Sequence, residues 1–191
     1  RVVVFGSGAI GATVGAWLVE AGVPVTFVAH PETARRLSRE GLRVYAHGDR
    51  DERRTIKVVA VSDLTEIQQP DWLVLAVKNY DLEAAAQLPF AEASFKSVLC
   101  FDVLEHLDNL HTVFDELVRL SRRYILLSLP NCWCDARRPI ARGRGQFGYY
   151  GLPVERPQDR HKWFFGLTEA TAFVTGQATR HGLRVESLFV T

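Results

Sequence analysis

Arg1-Val2-Val3-Val4-Phe5-Gly6-Ser7-Gly8-Ala9-Ile10-Gly11 is the stretch that decides the fold. Its apolar run reads as a buried strand, its glycines as a tight loop, and the residues after them as a helix start. Gly6 permits the turn, Gly8 lets a ligand approach the backbone, and Gly11 lets the helix sit close on the strand. The helix N-terminus then offers N–H groups without intrahelical partners and a partial positive charge. A bare G-x-G-x-x-G is a weak signal, but this one has context. It follows an apolar strand and opens a helix with apolar residues at Ile10, Val14, Trp17 and Leu18. It closes at Gly22 before a second strand, Val25-Thr26-Phe27-Val28. Gly6, Ser7, Gly8, Ala9, Ile10 and Gly11 are therefore the candidates for holding the phosphates or ribose of a nucleotide cofactor.

Composition narrows the class. The chain has 191 residues, of which 47% are hydrophobic and 24% charged, which suits a globular domain with a full core. A formal net charge of +1 argues against a dedicated nucleic-acid binder. No apolar run reaches the roughly 20 residues of a membrane span. The apolar start is explained by its strand and glycines rather than by a signal peptide. The three cysteines, Cys100, Cys132 and Cys134, cannot all pair within one chain, which favours a reducing, cytoplasmic setting. Cys132-Trp133-Cys134 has no second Cys/His pair at metal-ligand spacing, so no metal site is expected. The chain contains no methionine, for which the sequence offers no physical reason.

Apolar runs and punctuation place the remaining elements. Strand 1–5 leads to helix 9–21, and strand 24–29 to helix 32–40, which Gly41 stops. Residues 42–47 and 56–61 read as short strands around a charged turn, His47-Gly48-Asp49-Arg50-Asp51-Glu52-Arg53-Arg54. The continuous apolar strand 72–77 is expected in the sheet centre. A helix at about 81–88, strand 97–103, helix 107–120 and strand 124–129 follow. Residues 130–166 form an irregular lid, a helix covers about 168–181, and strand 184–190 comes last. This alternation predicts an α/β, Rossmann-like, doubly wound and mostly parallel sheet with helices on both faces. The last strand is open to an antiparallel placement. Ligands in such sheets sit at the carboxyl ends of the strands, beside strand one.

Residues 1 to about 86 resemble the amino-terminal half of ketopantoate reductases. The carrying residues are Gly6-Ser7-Gly8-Ala9-Ile10-Gly11, Val25-Thr26-Phe27-Val28-Ala29-His30 and Asp71-Trp72-Leu73-Val74-Leu75-Ala76-Val77-Lys78. Residues from about 81 to 191 resemble the carboxyl half of a class I S-adenosylmethionine-dependent methyltransferase. There the carriers are Leu88-Pro89-Phe90-Ala91-Glu92-Ala93-Ser94-Phe95, Val98-Leu99-Cys100-Phe101-Asp102-Val103-Leu104-Glu105-His106-Leu107 and Ser128-Leu129-Pro130-Asn131. The two resemblances imply one Rossmann-like domain over 1–191, a composite of 1–86 and 87–191. It reads as a chimera joined near Asp81-Leu82-Glu83-Ala84-Ala85-Ala86, engineered rather than natural. The two halves demand different sheet orders. The dinucleotide order puts strand 72–77 beside strand 1–5 with strand 97–103 next outward, and it is preferred. The methyltransferase order puts strand 97–103 directly beside strand 1–5. An exposed sheet edge at a mismatched join would invite a homodimer.

Two cofactors compete for the glycine loop. The reductase resemblance implies NADP, with Lys78 near the cofactor. A fold that prefers NAD places an acid at the end of its second strand, and here that position is His30. With Arg35 and Arg36 close behind, the site suits a 2′-phosphate better than a free hydroxyl. The proton-donating lysine of ketopantoate reductases comes from a helical domain beyond these residues, so NADP binding without reductase turnover is expected. The alternative is S-adenosylmethionine, which would use Asp81 near the adenine, Asp102 in the cleft and His106 as a base toward an acceptor hydroxyl. Glu105 is read there as an acid in a helix first turn, which needs no function. A third reading is a fold-recombination scaffold with no tight ligand. Between Asp135 and Lys162 the lid has six Arg and one Lys against three acids, with Tyr149, Tyr150, Trp163, Phe164 and Phe165 in or just beyond it. That composition suits an anionic or sugar-like substrate, a mobile basic loop, or, least of the three, RNA.

Overall fold

The computed structural model describes residues 1–46, 49–67, 70–77, 88–134 and 161–189. Its centre is a six-stranded sheet in the order β5-β2-β1-β6-β7-β8. The strands are β1 (Val2–Phe5), β2 (Val25–Val28), β5 (Val59–Val61), β6 (Trp72–Leu75), β7 (Phe95–Phe101) and β8 (Ser121–Ser128). Every pairing in it is parallel. The longer helices among the described residues are α1 (Ala9–Glu20), α2 (Pro31–Glu40), α3 (Leu110–Leu120) and α4 (Leu167–Arg180). A separate antiparallel hairpin joins β3 (Leu42–Ala46) to β4 (Asp49–Ile56).

Alternation along the inner strands explains the two layers. Val3, Phe5, Leu73, Leu75, Val98 and Cys100 face one side and pack with α3 residues Leu110, Val113, Phe114, Leu117 and Leu120. Val2, Val4, Val25, Phe27 and Val74 face the other side with Ala16 of α1 and Leu37 of α2. Both faces of the inner strands are thus removed from water, as parallel sheets require. The apolar period foreseen along 107–120 is the buried stripe. Helix α1 meets expectation only in part, since Val14 and Leu18 pack on the core while Ile10 and Trp17 do not. Its buried residues are Gly11, Gly15 and Ala16, whereas Trp17 is 62% exposed. Small residues sit closest to the sheet, Val14, Leu18 and Val19 pack around them half-buried, and Ile10 and Trp17 are exposed.

Sheet order settles the register. β1 lies between β2 and β6, with Val2 to Phe5 opposite Trp72 to Leu75, and β7 pairs with β6 on the outer side. This is the dinucleotide order. The methyltransferase order, with strand 97–103 beside strand 1–5, does not occur. Nor do the strands flanking the presumed join leave an edge open, since β6 and β7 are each paired on both sides. Among the described residues, the outermost strands of the sheet are β5 and β8.

Three expectations are corrected. The charged run read as a turn is strand β4, and the strand expected over 56–61 divides into the end of β4 and β5. Backbone bonding to β3 decides this, with Leu42 opposite Ile56 and Val44 opposite Arg54. The helix foreseen from 107 begins at Leu110, and Leu104–His106 form a separate 3-10 turn before it. Finally, residues 183–189 form no strand. Val185 is 37% exposed and Phe189 is 79% exposed, and without a ladder partner their alternation is not enough. The helix expected at about 81–88 falls outside the described residues but for its last position, as does the lid from 135 to 160.

One polar cluster ties α3 to the segment before β7. The Glu116 carboxylate is buried and accepts the Leu88 N–H at 2.9 Å. Arg119 donates to both its oxygens, Nε at 2.6 Å and a terminal nitrogen at 2.7 Å. The same guanidinium donates to the Phe90 and Leu88 carbonyls at 2.8 and 3.1 Å. The buried carboxylate beside it raises the Arg119 pKa above its ordinary value. On the sheet, burial pushes the Cys100 thiol up, helped by the nearby Glu105 and Asp102 charges. Thiolate is the reactive form. Thiol titration of the native chain will therefore modify exposed Cys134 and leave Cys100 untouched until denaturant is added.

Candidate nucleotide site and the cleft beside it

The loop after β1 has the geometry its glycines foretold. Gly6 has φ +99°, in the left-handed region, and a Cβ there would lie 2.4 Å from the Ala76 carbonyl oxygen. A Cβ on Gly11 would lie 2.0 Å from the Gly6 oxygen, so α1 can start this close to the loop only with glycine. Gly8 is different, because a Cβ there would meet nothing within 4 Å. The middle glycine is thus not needed for internal packing, and its face is open to a ligand. Gly8 is the N-cap of α1 and caps nothing with a side chain, and no acid occupies the first turn. The exposed helix start keeps its donors and its positive end for an incoming anion.

The loop borders one part of an extended cleft of about 1690 Å³ that runs on along β8 and residues 166–189. Gly8, Ala9 and Ile10 line it together with Ala76, Val77, Asp102, Val103 and His106. These residues come from the carboxyl ends of β1, β6 and β7, where open α/β sheets bind ligands. Asp102 adopts φ +50° at the end of β7. Ser128 at the end of β8 holds it, donating to its carboxylate at 2.7 Å and accepting its N–H at 3.0 Å.

Other candidates lie elsewhere. The end of β2 is beside the loop, since the Gly6 N–H donates to the Val28 carbonyl at 3.1 Å. His30 follows as the exposed N-cap of α2, without a side-chain cap bond, and it does not line the cleft. Arg35 is exposed, and its Nε donates to the Pro31 carbonyl at 3.2 Å. It lines a separate hollow of about 430 Å³ with Pro31, Ala34, Arg39 and Glu66. Lys78 and Asp81 lie outside the described residues, as do Tyr149 and Tyr150.

The far wall brings His106 and Glu105 together with His161, which the sequence reading passed over. Glu105 is 1% exposed, so it is a buried carboxylate in a 3-10 turn and not a solvated helix-cap acid. His106 Nε2 lies 3.6 Å from its Oε1. His161, 6% exposed, stands edge-on to His106 with ring centroids 4.7 Å apart. No local signal pointed to His161, because its neighbour lies far back in the chain. Its position is fixed when the Lys162 and Trp163 N–H groups donate to the Glu105 carbonyl at 2.7 and 3.1 Å. The Trp163 indole also donates to the Leu107 carbonyl, and Lys162 pairs with Asp108.

Similar solved structures share this scaffold. A D-mandelate dehydrogenase with NADH and anilino(oxo)acetate is 21% identical with a TM-score of 0.52, over 65% of this chain. A 2-dehydropantoate 2-reductase from Enterococcus faecalis, itself an assignment not yet firm, is 20% identical with a TM-score of 0.50, over 66% of this chain. At such identities the likeness is one of fold. This chain spans 40% of the length of each of those proteins. No curated protein sequence matches it. The family comparison reaches further than the glycine loop. It runs over residues 2–120, through the presumed join and the Asp102 to Leu107 run that was assigned to a methyltransferase half. Glycine loop, sheet order and family match agree across that span, and the chain belongs to the ketopantoate reductase PanE/ApbA family.

Proposed function

We propose that the chain binds NADP(H) in the cleft beside Gly8, as the dinucleotide-holding part of an oxidoreductase. The observation that carries this reading is the open face of Gly8 at an uncapped, acid-free helix start, set between glycines that admit no side chain. A pyrophosphate fits such a helix end because backbone N–H groups and the helix dipole both favour negative charge. The preference for the 2′-phosphorylated form rests on the end of β2. No carboxylate stands at 29–31 to take ribose hydroxyls, and Arg35 and Arg36 are exposed just beyond. Hydride transfer to a keto acid needs a proton donor as well. What these 191 residues are proposed to do is hold the dinucleotide.

Calorimetric titration with NADPH, NADH and S-adenosylmethionine in parallel tests the reading. NADPH should bind more tightly than NADH, and S-adenosylmethionine should give no heat. In His30→Asp, a new carboxylate near the 2′-phosphate should weaken NADPH by about 1 kcal/mol, roughly fivefold, while NADH is spared. S-adenosylmethionine binding without NADPH binding would overturn the proposal and revive methyl transfer. An unchanged NADPH affinity in His30→Asp would move the 2′-phosphate away from the end of β2.

A further inference from the structure

We propose that Glu105, His106 and His161 form a binding site for a divalent transition-metal cation, zinc above all. Each of the three offers one ligand atom, and these atoms lie within 4.8 Å of one another. Two imidazoles and one carboxylate are the donor set that zinc and its neighbours take, and thiolates are not required. A tetrahedral zinc at about 2.0–2.2 Å from its ligands holds them roughly 3.3 Å apart. Closing the cluster around the ion therefore asks each side chain to move by about 1 Å, a side-chain adjustment and not a refolding.

Three features of the surroundings support a built site. The donors are sheltered, with side-chain exposures of 12% for His106 and 1% for Glu105, so a captured ion would be largely stripped of bulk water. Their backbones are locked together, because the Glu105 carbonyl takes the two N–H groups that follow His161. The rigid turn and the incoming strand of chain thus hold the ligands before any ion arrives, which lowers the entropy cost of binding. Lastly, all three residues line the cleft that runs past Gly8. Three protein ligands with a fourth position facing a cavity is the pattern of open zinc sites, where water or a substrate oxygen completes the shell. Cys132 and Cys134 are not part of the cluster.

The site is independent of the dinucleotide reading and is tested without it. The full chain is freed of metal with a chelator, then titrated with Zn²⁺ by calorimetry and with Co²⁺ by visible absorption. The expected result is one equivalent of each ion, with the intense absorption of low-coordinate cobalt. His106→Ala and His161→Ala should each weaken Zn²⁺ by at least about 100-fold, since a ligand matters no less than its outer-sphere support. His161→Gln serves where the alanine variant does not fold, because it preserves bulk but offers no imidazole. His111→Ala, His181→Ala and the Cys132→Ser/Cys134→Ser pair should bind as the parent does. Absence of binding in the parent would overturn the proposal. So would undiminished binding in a folded chain that lacks both His106 and His161.

Discussion

Gly11→Ala will destabilise the chain by about 3 kcal/mol and abolish its dinucleotide binding. The added methyl would lie 2.0 Å from the Gly6 oxygen and 3.1 Å from the Ala76 Cβ. Neither neighbour can yield cheaply. The Gly6 carbonyl belongs to a backbone already held at φ +99°, and Gly6 itself leaves no room against Ala76. Relief must come from sliding α1 off the sheet, which exposes part of the core around Val4, Ala16 and Phe27. It also swings the helix start away from where a pyrophosphate would sit. Gly8→Ala is the companion variant. With φ −69° and free space around it, that substitution should change stability by less than about 0.5 kcal/mol. It should nevertheless lower NADPH affinity by at least about tenfold, because its methyl takes the place of the ligand. Urea unfolding and calorimetry on both variants separate scaffold from site. A Gly11→Ala chain as stable as the parent would show that the helix start has slack that the geometry denies.

Arg119→Ala should cost about 2 kcal/mol, less than a fully buried pair because the guanidinium is partly exposed. The loss is larger than the pair itself is worth. Its carboxylate partner, Glu116, has a side chain only 7% exposed and would stay behind uncompensated, while the Phe90 and Leu88 carbonyls lose their donor. Arg119, at 36% exposure, can instead turn to water if its partner is neutralised. Glu116→Gln still accepts the Leu88 N–H and should cost only about 1 kcal/mol. Chemical denaturation decides between them. Equal losses from the two substitutions would mean that the carboxylate is better hydrated than its burial indicates.

The parts of this fold that could be read in advance are those whose signals are local. Val2 to Phe5 and Trp72 to Val77 are apolar without interruption, and only a strand covered on both faces uses such a run. Leu110, Val113, Phe114, Leu117 and Leu120 repeat at helical spacing, and all are buried. Gly6 and Gly11 announced a turn with no room for side chains. What misled was pairing at a distance. The Asp49 to Arg54 run has the composition of a turn, and only the presence of β3 beside it makes it a strand. Residues 183–189 have the opposite history, with strand-like alternation and no ladder to join. The Asp102 to Leu107 motif suggested a second family, yet it lies within the span that matches the first. The candidate site divides in the same way. Gly8 and Asp102 were legible because strand ends and glycine loops mark the cleft. His161 was not, because the contacts that bring it to His106 are backbone bonds across a long stretch of chain, and composition carries no trace of them.

The pair of N–H groups on the Glu105 carbonyl has a consequence for how the chain can vary. They fasten the chain at Lys162 and Trp163 back to the turn before α3, across a stretch that includes α3 and β8. Closure entropy rises only with the logarithm of loop length, and a doubling costs about 0.6 kcal/mol. In closure entropy alone, a change in the length of chain between those two points is therefore cheap, as long as both bonds to the Glu105 carbonyl are kept.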